Sequence, residues 1–283
     1  MVEERVSRQP VNRFRRIVFC LLALLLLASG AASAAGTWLL TDKGYKVLNN
    51  HSQAFDAAIW SGDADSGGYA SGTGTLQWLK DGAVKARFEG NLAGGVPAGR
   101  GKYIWENGSR YEGNFADGRW EGRGTFIWAN GDRFDGQYIG GKRNGRGVLK
   151  LVNGNRYEGE YVNDAQTGKG VYSWADGDRY EGSFINDRRN GRGTYSWANG
   201  NTYDGDWVDN KQHGRGVFTW ANGERYEGDF IENQRTGRGI YTWPDGRRYV
   251  GEFVDGSLEG YGTYSAPDGT KRRGLWVKNQ FQG

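Results

Sequence analysis

Arg123, Arg146, Arg192, Arg215 and Arg238 recur at one fixed interval or its multiples, and so do Glu112, Asp135, Glu158, Glu181 and Asp204. Acid–base catalysis by such groups needs a pocket in which unlike environments pull their proton affinities apart. A fixed period instead strings them into ladders of opposite charge on one solvated face, each pair contributing about 0.2–1 kcal/mol. The other catalytic repertoires are equally thin. The chain has two histidines, His51 and His213, and one cysteine, Cys20. No Ser/His/Asp arrangement, HExxH motif or nucleophile elbow occurs. The GKG and GRG triplets lack the GxxxxGK[ST] pattern of a phosphate loop. Asp176-Gly177-Asp178 and Asn130-Gly131-Asp132 have the composition of calcium loops but neither the GGxGxD register nor the EF-hand glutamate. These residues predict no enzyme, no metal site and no cofactor. What remains is recognition: arginines that can meet phosphate, and rings that can stack on a sugar or a partner.

The elements that must position these groups follow from the same period. Residues 111–133 read YEGNFADGRWEGRGTFIWANGDR, and the pattern returns at the same length in 134–156, in 157–179 and on to 249–271. Its leading aromatic (offset 0) is Phe88, Tyr111, Phe134, Tyr157, Tyr180, Tyr203, Tyr226 and Tyr249; Gly recurs at offsets 2, 11, 13 and 20, and rings usually at 4, 15 and 17. Steps of two are strand alternation, so each unit reads as two short antiparallel strands. One face then collects the rings with the glycines at offsets 2, 11 and 13. Glycine normally weakens a strand, and its regular use here implies room for a ring to lie flat across the backbone. The opposite face carries Glu or Asp at offset 1 and Arg at offsets 12 and 22. Bringing the Trp at offset 17 and the next Tyr to one face requires an odd loop. A three-residue turn such as Ala129-Asn130-Gly131, with Gly131 left-handed in a G1 bulge, meets that need. The turn at offsets 5–10 (ADGRWE, INDRRN, ENQRTG) is expected to be looser and more variable.

Composition agrees with a folded β array. Glycine is 49 of 283 residues against only 4 prolines, which excludes collagen, and 14% aromatics exclude a disordered chain. Residues 1–35 stand apart: five arginines precede the apolar run IVFCLLALLLLA, and Ala32-Ser33-Ala34 fits a cleavage site. The expectation is a signal peptide cut near Ala34 and a periplasmic or secreted mature protein. Retention as an inner-membrane anchor through residues 17–35 is the alternative. Cleavage removes Cys20 and most of the +4 net charge. A nearly neutral mature chain gives no reason to expect nucleic acid.

The repeat resembles the MORN (membrane occupation and recognition nexus) family, whose motif is close to YEGxFxxGxxxGxGxxxxxxG. The resemblance covers about residues 60–278 and is similar to bacterial exported members. It implies an all-β fold: an elongated single-layer antiparallel sheet of consecutive 23-residue hairpins, roughly 75 Å long for eight units at about 4.8 Å per strand. Residues 36–59 then form an N-terminal cap over an open strand edge. Residues 60–87 are a degenerate first repeat with about four extra residues after Trp78, 88–271 are eight repeats, and 272–283 are a partial repeat and C-terminal cap. Arg272, in the last Tyr slot, is expected to stop the stack.

The resemblance also implies a non-enzymatic scaffold, mediating protein–protein contact or self-association at the cell envelope. Two alternatives stand beside it. Phospholipid headgroups could meet Arg123, Arg146, Arg192, Arg215 and Arg238. A glycan could lie along a groove of Tyr111, Trp128, Tyr157, Trp174, Tyr180, Trp197, Tyr203, Trp220, Tyr226 and Trp243, unless these rings are simply core. Trp207, in a Phe slot, reads as core. Trp120, in a turn, is the candidate exposed anchor.

Overall fold

In the computed structural model, residues 37–49 and 55–283 are described. The expected leader, its cleavage site, the 17–35 anchor and His51 lie outside them. Two short strands, β1 (Thr37–Leu40) and β2 (Lys46–Asn49), form a separate ribbon. β3 (Ala57–Trp60) and β4 (Asp63–Ala64) both pair with one side of β5 (Ala70–Lys80), so residues 57–59, the last of the lead-in segment, run along that edge. The four extra residues do not form a loop. They lengthen β5 and β6 (Ala83–Ala93) to 11 residues each.

From there each strand pairs with the one before and the one after. β7 (Val96–Trp105) leads into β8 (Arg110–Ala116), β9 (Arg119–Ile127), β10 (Arg133–Ile139) and β11 (Lys142–Lys150). The next units are β12 (Arg156–Val162), β13 (Ala165–Ser173), β14 (Arg179–Ile185) and β15 (Arg188–Ser196). They continue with β16 (Thr202–Val208), β17 (Lys211–Thr219), β18 (Arg225–Ile231) and β19 (Gln234–Thr242). The array ends in β20 (Arg248–Val254), β21 (Ser257–Ser265), β22 (Lys271–Val277) and β23 (Gln280–Phe281). No ladder joins β23 back to β3, so the sheet is open rather than a barrel. It is one long antiparallel sheet of successive hairpins, with no helix among the described residues.

The loops at offsets 18–20 are as the parity argument requires. Gly131 N–H donates to Trp128 O and Trp128 N–H to Asp132 O, both at 2.9 Å, with Gly131 at φ +93°. That is a type I turn closed by a G1 bulge. The other turn is not loose, and the sequence expectation is corrected here. Ala116 pairs directly with Arg119 around Asp117-Gly118, and Val162 with Ala165 around Asn163-Asp164. Both central residues have positive φ, 49° and 72° in the first and 49° and 73° in the second, which defines a tight type I′ turn. Its side chains vary, but Asn, Asp and Gly are interchangeable where the backbone must be left-handed.

Both rows of turns are stapled from one unit to the next. Ala198 N–H donates to Asp178 Oδ1 and Ala221 N–H to Asn201 Oδ1, each at 2.9 Å. On the opposite border Arg189 N–H donates to Asn210 Oδ1 (2.9 Å), while Asn210 N–H returns to Arg189 O (3.0 Å). Where Pro244 and Pro267 replace the alanine, the donor is absent, and Glu224 and Arg247 stand where Asp or Asn would accept. Neighbouring units thus satisfy each other's turn groups, as nearest-neighbour repeat stability requires.

Candidate functional site

The ring face is a packed layer. Tyr111 lies across the paired Gly113 and Gly124: a Cβ on either would stand 2.4 or 2.3 Å from the Tyr111 hydroxyl oxygen. Phe88, Phe134, Tyr157, Tyr180, Tyr203, Tyr226 and Tyr249 repeat this contact, and Trp60 does the same over Gly62 and Gly74 in the degenerate unit. Each ring also meets neighbours edge-on, as Tyr111 meets Phe115 at 5.2 Å and Tyr138 at 5.3 Å. Gly122, at offset 11, does not share this role. It is left-handed (φ +66°) in a bulge beside Arg123 and faces Asn114 on the polar side, which corrects its assignment to the ring face.

The aromatic groove expected from sequence is therefore filled by its own rings. Tyr111, Tyr157, Tyr180, Tyr203 and Tyr226 are buried and offer no free ring face. Trp128, Trp174, Trp197, Trp220 and Trp243 are half-buried. Each packs on the ring two residues before it, for example Tyr172–Trp174 at 4.4 Å, and four of them (Trp174, Trp197, Trp220 and Trp243) also meet a ring of the next unit, as Trp174–Tyr195 does at 5.2 Å. Trp207 is buried and donates Nε1–H to Gly193 O at 3.0 Å. Trp120 is no exposed anchor. It stacks on Tyr111 at 4.6 Å and 10°, because its strand position brings it over the ring rather than into a loose turn.

Trp120 marks a column that the sequence pattern did not single out. At offset 9, successive units carry Trp120, Arg143, Gln166, Arg189, Gln212, Arg235 and Leu258. Arg189 is buried, its guanidinium carbon 4.4 Å from the Trp207 ring centroid and 5.0 Å from Tyr195. Nη2–H donates to Asn210 O at 2.9 Å. Burial lowers its pKa to about 10. The tyrosines move the other way: burial raises Tyr180 and Tyr249 to about 12. A phenol held protonated in this manner is a packing group, not a nucleophile.

The opposite face carries the charges. Arg123, Arg146, Arg192, Arg215 and Arg238 are all exposed there. Arg192 reaches Asp204 at 2.9 Å and Arg215 reaches Asp229 at 3.4 Å. Between them the paired glycines form the floor of a long groove, bordered by Glu112, Asp135 and Glu158 on the acidic rows and Arg123, Arg146 and Arg192 on the basic rows. The groove thus lies on the side away from the rings. A second feature of this face was legible in the period but was missed. Ile139, Val162, Ile185, Val208, Ile231, Val254 and Val277 stand at offset 5 and are 39–62% exposed, making an aliphatic row along one border. Among the described residues, no group of three or more His, Cys, Asp or Glu could hold a metal ion.

Comparison with known proteins completes the description. The family model for the MORN repeat matches residues 88–110, 111–133, 134–156, 157–179, 180–202, 203–225, 226–247 and 249–271. Among curated proteins the chain has no match. Similar solved structures include the SAS-4 TCP domain of Drosophila melanogaster in complex with a proline-rich motif of Ana2. It shows 13% identity and a TM-score of 0.36, over 62% of this chain and 90% of that one. The TCP10 domain of Danio rerio CPAP shows 15% identity and a TM-score of 0.39, over 67% of this chain and 89% of that one. These scores are low, and nothing about this chain's function follows from them.

Proposed function

Because the chain belongs to the MORN-repeat family, eight units of which fill most of residues 88–271, we propose that it is a non-enzymatic binding scaffold. It presents a stiff periodic surface to a protein partner or to its own copies. If the leader directs export, it acts at the cell envelope. The observation that carries this reading is the division of labour between the faces. The rings are consumed in packing, so the surface left for partners is the charged groove and the aliphatic row beside it, repeated once per unit. Buried phenols with raised pKa values supply no nucleophile.

Cross-linking of the full-length protein in cells, with a C-terminal affinity tag and mass spectrometry of captured species, tests the proposal. One dominant protein adduct or a ladder of self-adducts supports it. A clean negative overturns it.

A second reading is supported by the exposed Arg row: phospholipid headgroups could engage Arg123, Arg146 and Arg238, which have no ion-pair partner among the described residues. Alternating carboxylates and near neutrality weaken such attachment. Binding to anionic vesicles that vanishes in moderate salt and in the Arg123→Glu/Arg146→Glu/Arg238→Glu variant supports it, and salt-insensitive or absent binding removes it.

A further inference from the structure

Along one border of the ring face, tyrosine and tryptophan alternate in a column. Tyr172 meets Trp174 at 4.4 Å, Trp174 meets Tyr195 at 5.2 Å, and Tyr195 meets Trp197 at 4.5 Å. Leu149 and Leu151 fill the corresponding slots of the unit before, and Phe218 the first slot of the unit after, so the column is bounded by side chains that give up no electron readily. Trp174 and Trp197 are half-buried and reach solvent, whereas Tyr195 is buried. An indole is oxidised ahead of a phenol unless the phenol loses its proton in the same step.

Tyr195 has what that step requires. Its hydroxyl donates to Asp178 Oδ2 at 2.5 Å, within reach for proton transfer, and Asp178 is itself only half-buried. The tyrosines at offset 0 are placed differently. Tyr157, Tyr180 and Tyr203 donate to the carbonyl oxygens of Glu160, Ser183 and Asp206 at 3.1, 3.0 and 3.0 Å, and a peptide carbonyl takes up no proton near neutral pH. The Tyr172 oxygen receives the amide of Asn155 at 3.4 Å, a donor rather than a base. The buried charge of Arg189 sharpens the contrast. It lies 4.4 Å from the Trp207 ring and 5.0 Å from Tyr195, and so opposes a positive charge on either. Tyr195 therefore gives up an electron only as its proton departs.

We propose that Tyr195 is a redox-active residue, which takes over one-electron oxidation from Trp174 and Trp197 and passes its proton to Asp178. This site goes beyond the scaffold reading and does not depend on it. A small one-electron oxidant removes an electron from either tryptophan and leaves an indole radical cation. Tyr195 returns one electron to that ring while its hydroxyl proton moves to Asp178. The products are an intact tryptophan, a neutral phenoxyl radical and a protonated carboxyl group. Tyr241 occupies the same slot between Trp220 and Trp243, at 5.4 and 4.6 Å, with Glu224 in the place of Asp178, and forms a second centre of this kind.

Pulse radiolysis of the full chain with the azide radical, which oxidises indoles faster than phenols, tests the proposal. Tyr241→Phe is present in the parent protein and in every variant, to isolate the first centre. The parent is expected to show a first-order decay of the indole radical matched by growth of the phenoxyl radical, at a rate independent of protein concentration and slower in deuterium oxide. Tyr195→Phe, which keeps the ring, is expected to abolish that phase. Asp178→Asn keeps an acceptor for Ala198 N–H, as Asn201 does for Ala221, and is expected to slow the phase about a hundredfold. Tyr180→Phe is expected to leave it unchanged. Circular dichroism of each variant separates loss of the phase from loss of the fold. Absence of the phase in the parent, its survival in Tyr195→Phe, or equal rates in the parent and Asp178→Asn overturns the inference.

Discussion

The Tyr203 ring covers Gly205 and Gly216, so closely that a Cβ on Gly205 would lie 2.3 Å from the phenol oxygen. This contact, repeated in every unit, explains a glycine-rich sheet that holds together in one layer. The rings supply the burial that a second layer would otherwise provide. Replacing Gly205 by alanine forces the ring off its seat, and overpacking of this kind costs about 1–3 kcal/mol. Urea unfolding of the Gly205→Ala protein checks it, and an unchanged midpoint at equal slope would show that the ring is not held there.

Arg189 occupies a column where Gln166 and Gln212 are its neighbours one unit away. Arg189→Gln should therefore lower stability by no more than about 1 kcal/mol. Arg189→Ala, which empties the space among Tyr180, Tyr195 and Trp207, should cost about 2–4 kcal/mol. Equal effects of the two variants in thermal or urea unfolding would mean that charge, not volume, matters at this site.

Asp178 accepts Ala198 N–H through Oδ1 (2.9 Å) and the Tyr195 hydroxyl through Oδ2 (2.5 Å). Asp178→Ala leaves both donors without their acceptor and should cost about 1–3 kcal/mol. Amide hydrogen exchange offers a local check: protection at Ala198 should fall more than protection at Ala221, which is bonded to Asn201. Equal loss at both would contradict a local staple.

Alkali should unfold the protein. The folded chain keeps the protons of Tyr180 and Tyr249 up to about 12, because burial raises them from an ordinary 10.0. The unfolded chain releases them near 10, binds fewer protons across that window, and is favoured as pH rises from 10 through 12. Arg189, lowered from 12.5 to about 10, acts in the opposite sense over the same window, but it is one group against a row of phenols. Melting temperature followed by circular dichroism should fall as pH rises from about 10 to about 12. A constant value would refute the assignment.

Deleting residues 157–179 removes one unit in register, so every ring should find an equivalent neighbour and the shortened chain should fold cooperatively. Removing only 156–166 would take out half a hairpin and break the register. The shortened, folded protein should capture less partner in cells if the length of the array matters. Full capture by that variant would count against the rod's length as the functional quantity.

The constant repeat period, the alternation by two and the odd loop around Asn130-Gly131 determined the strands, their order and one turn type, because each depends only on spacing along the chain. The ring-over-glycine contact at Tyr111 was legible for the same reason. Alternation tells which residues share a face, but not what fills it. Only the tertiary structure decided that the rings of Tyr111 and Trp120 lie against each other and close the aromatic side. It also decided that Asn163-Asp164 makes a tight turn and that Gly122 serves a bulge. These outcomes depend on ring volume, sheet coiling and contacts between successive units of the array. Tyr195 and Asp178 were visible only as two letters 17 residues apart. That the phenol of one faces the carboxylate of the other, between two tryptophans, followed only from the packing of one unit on the next.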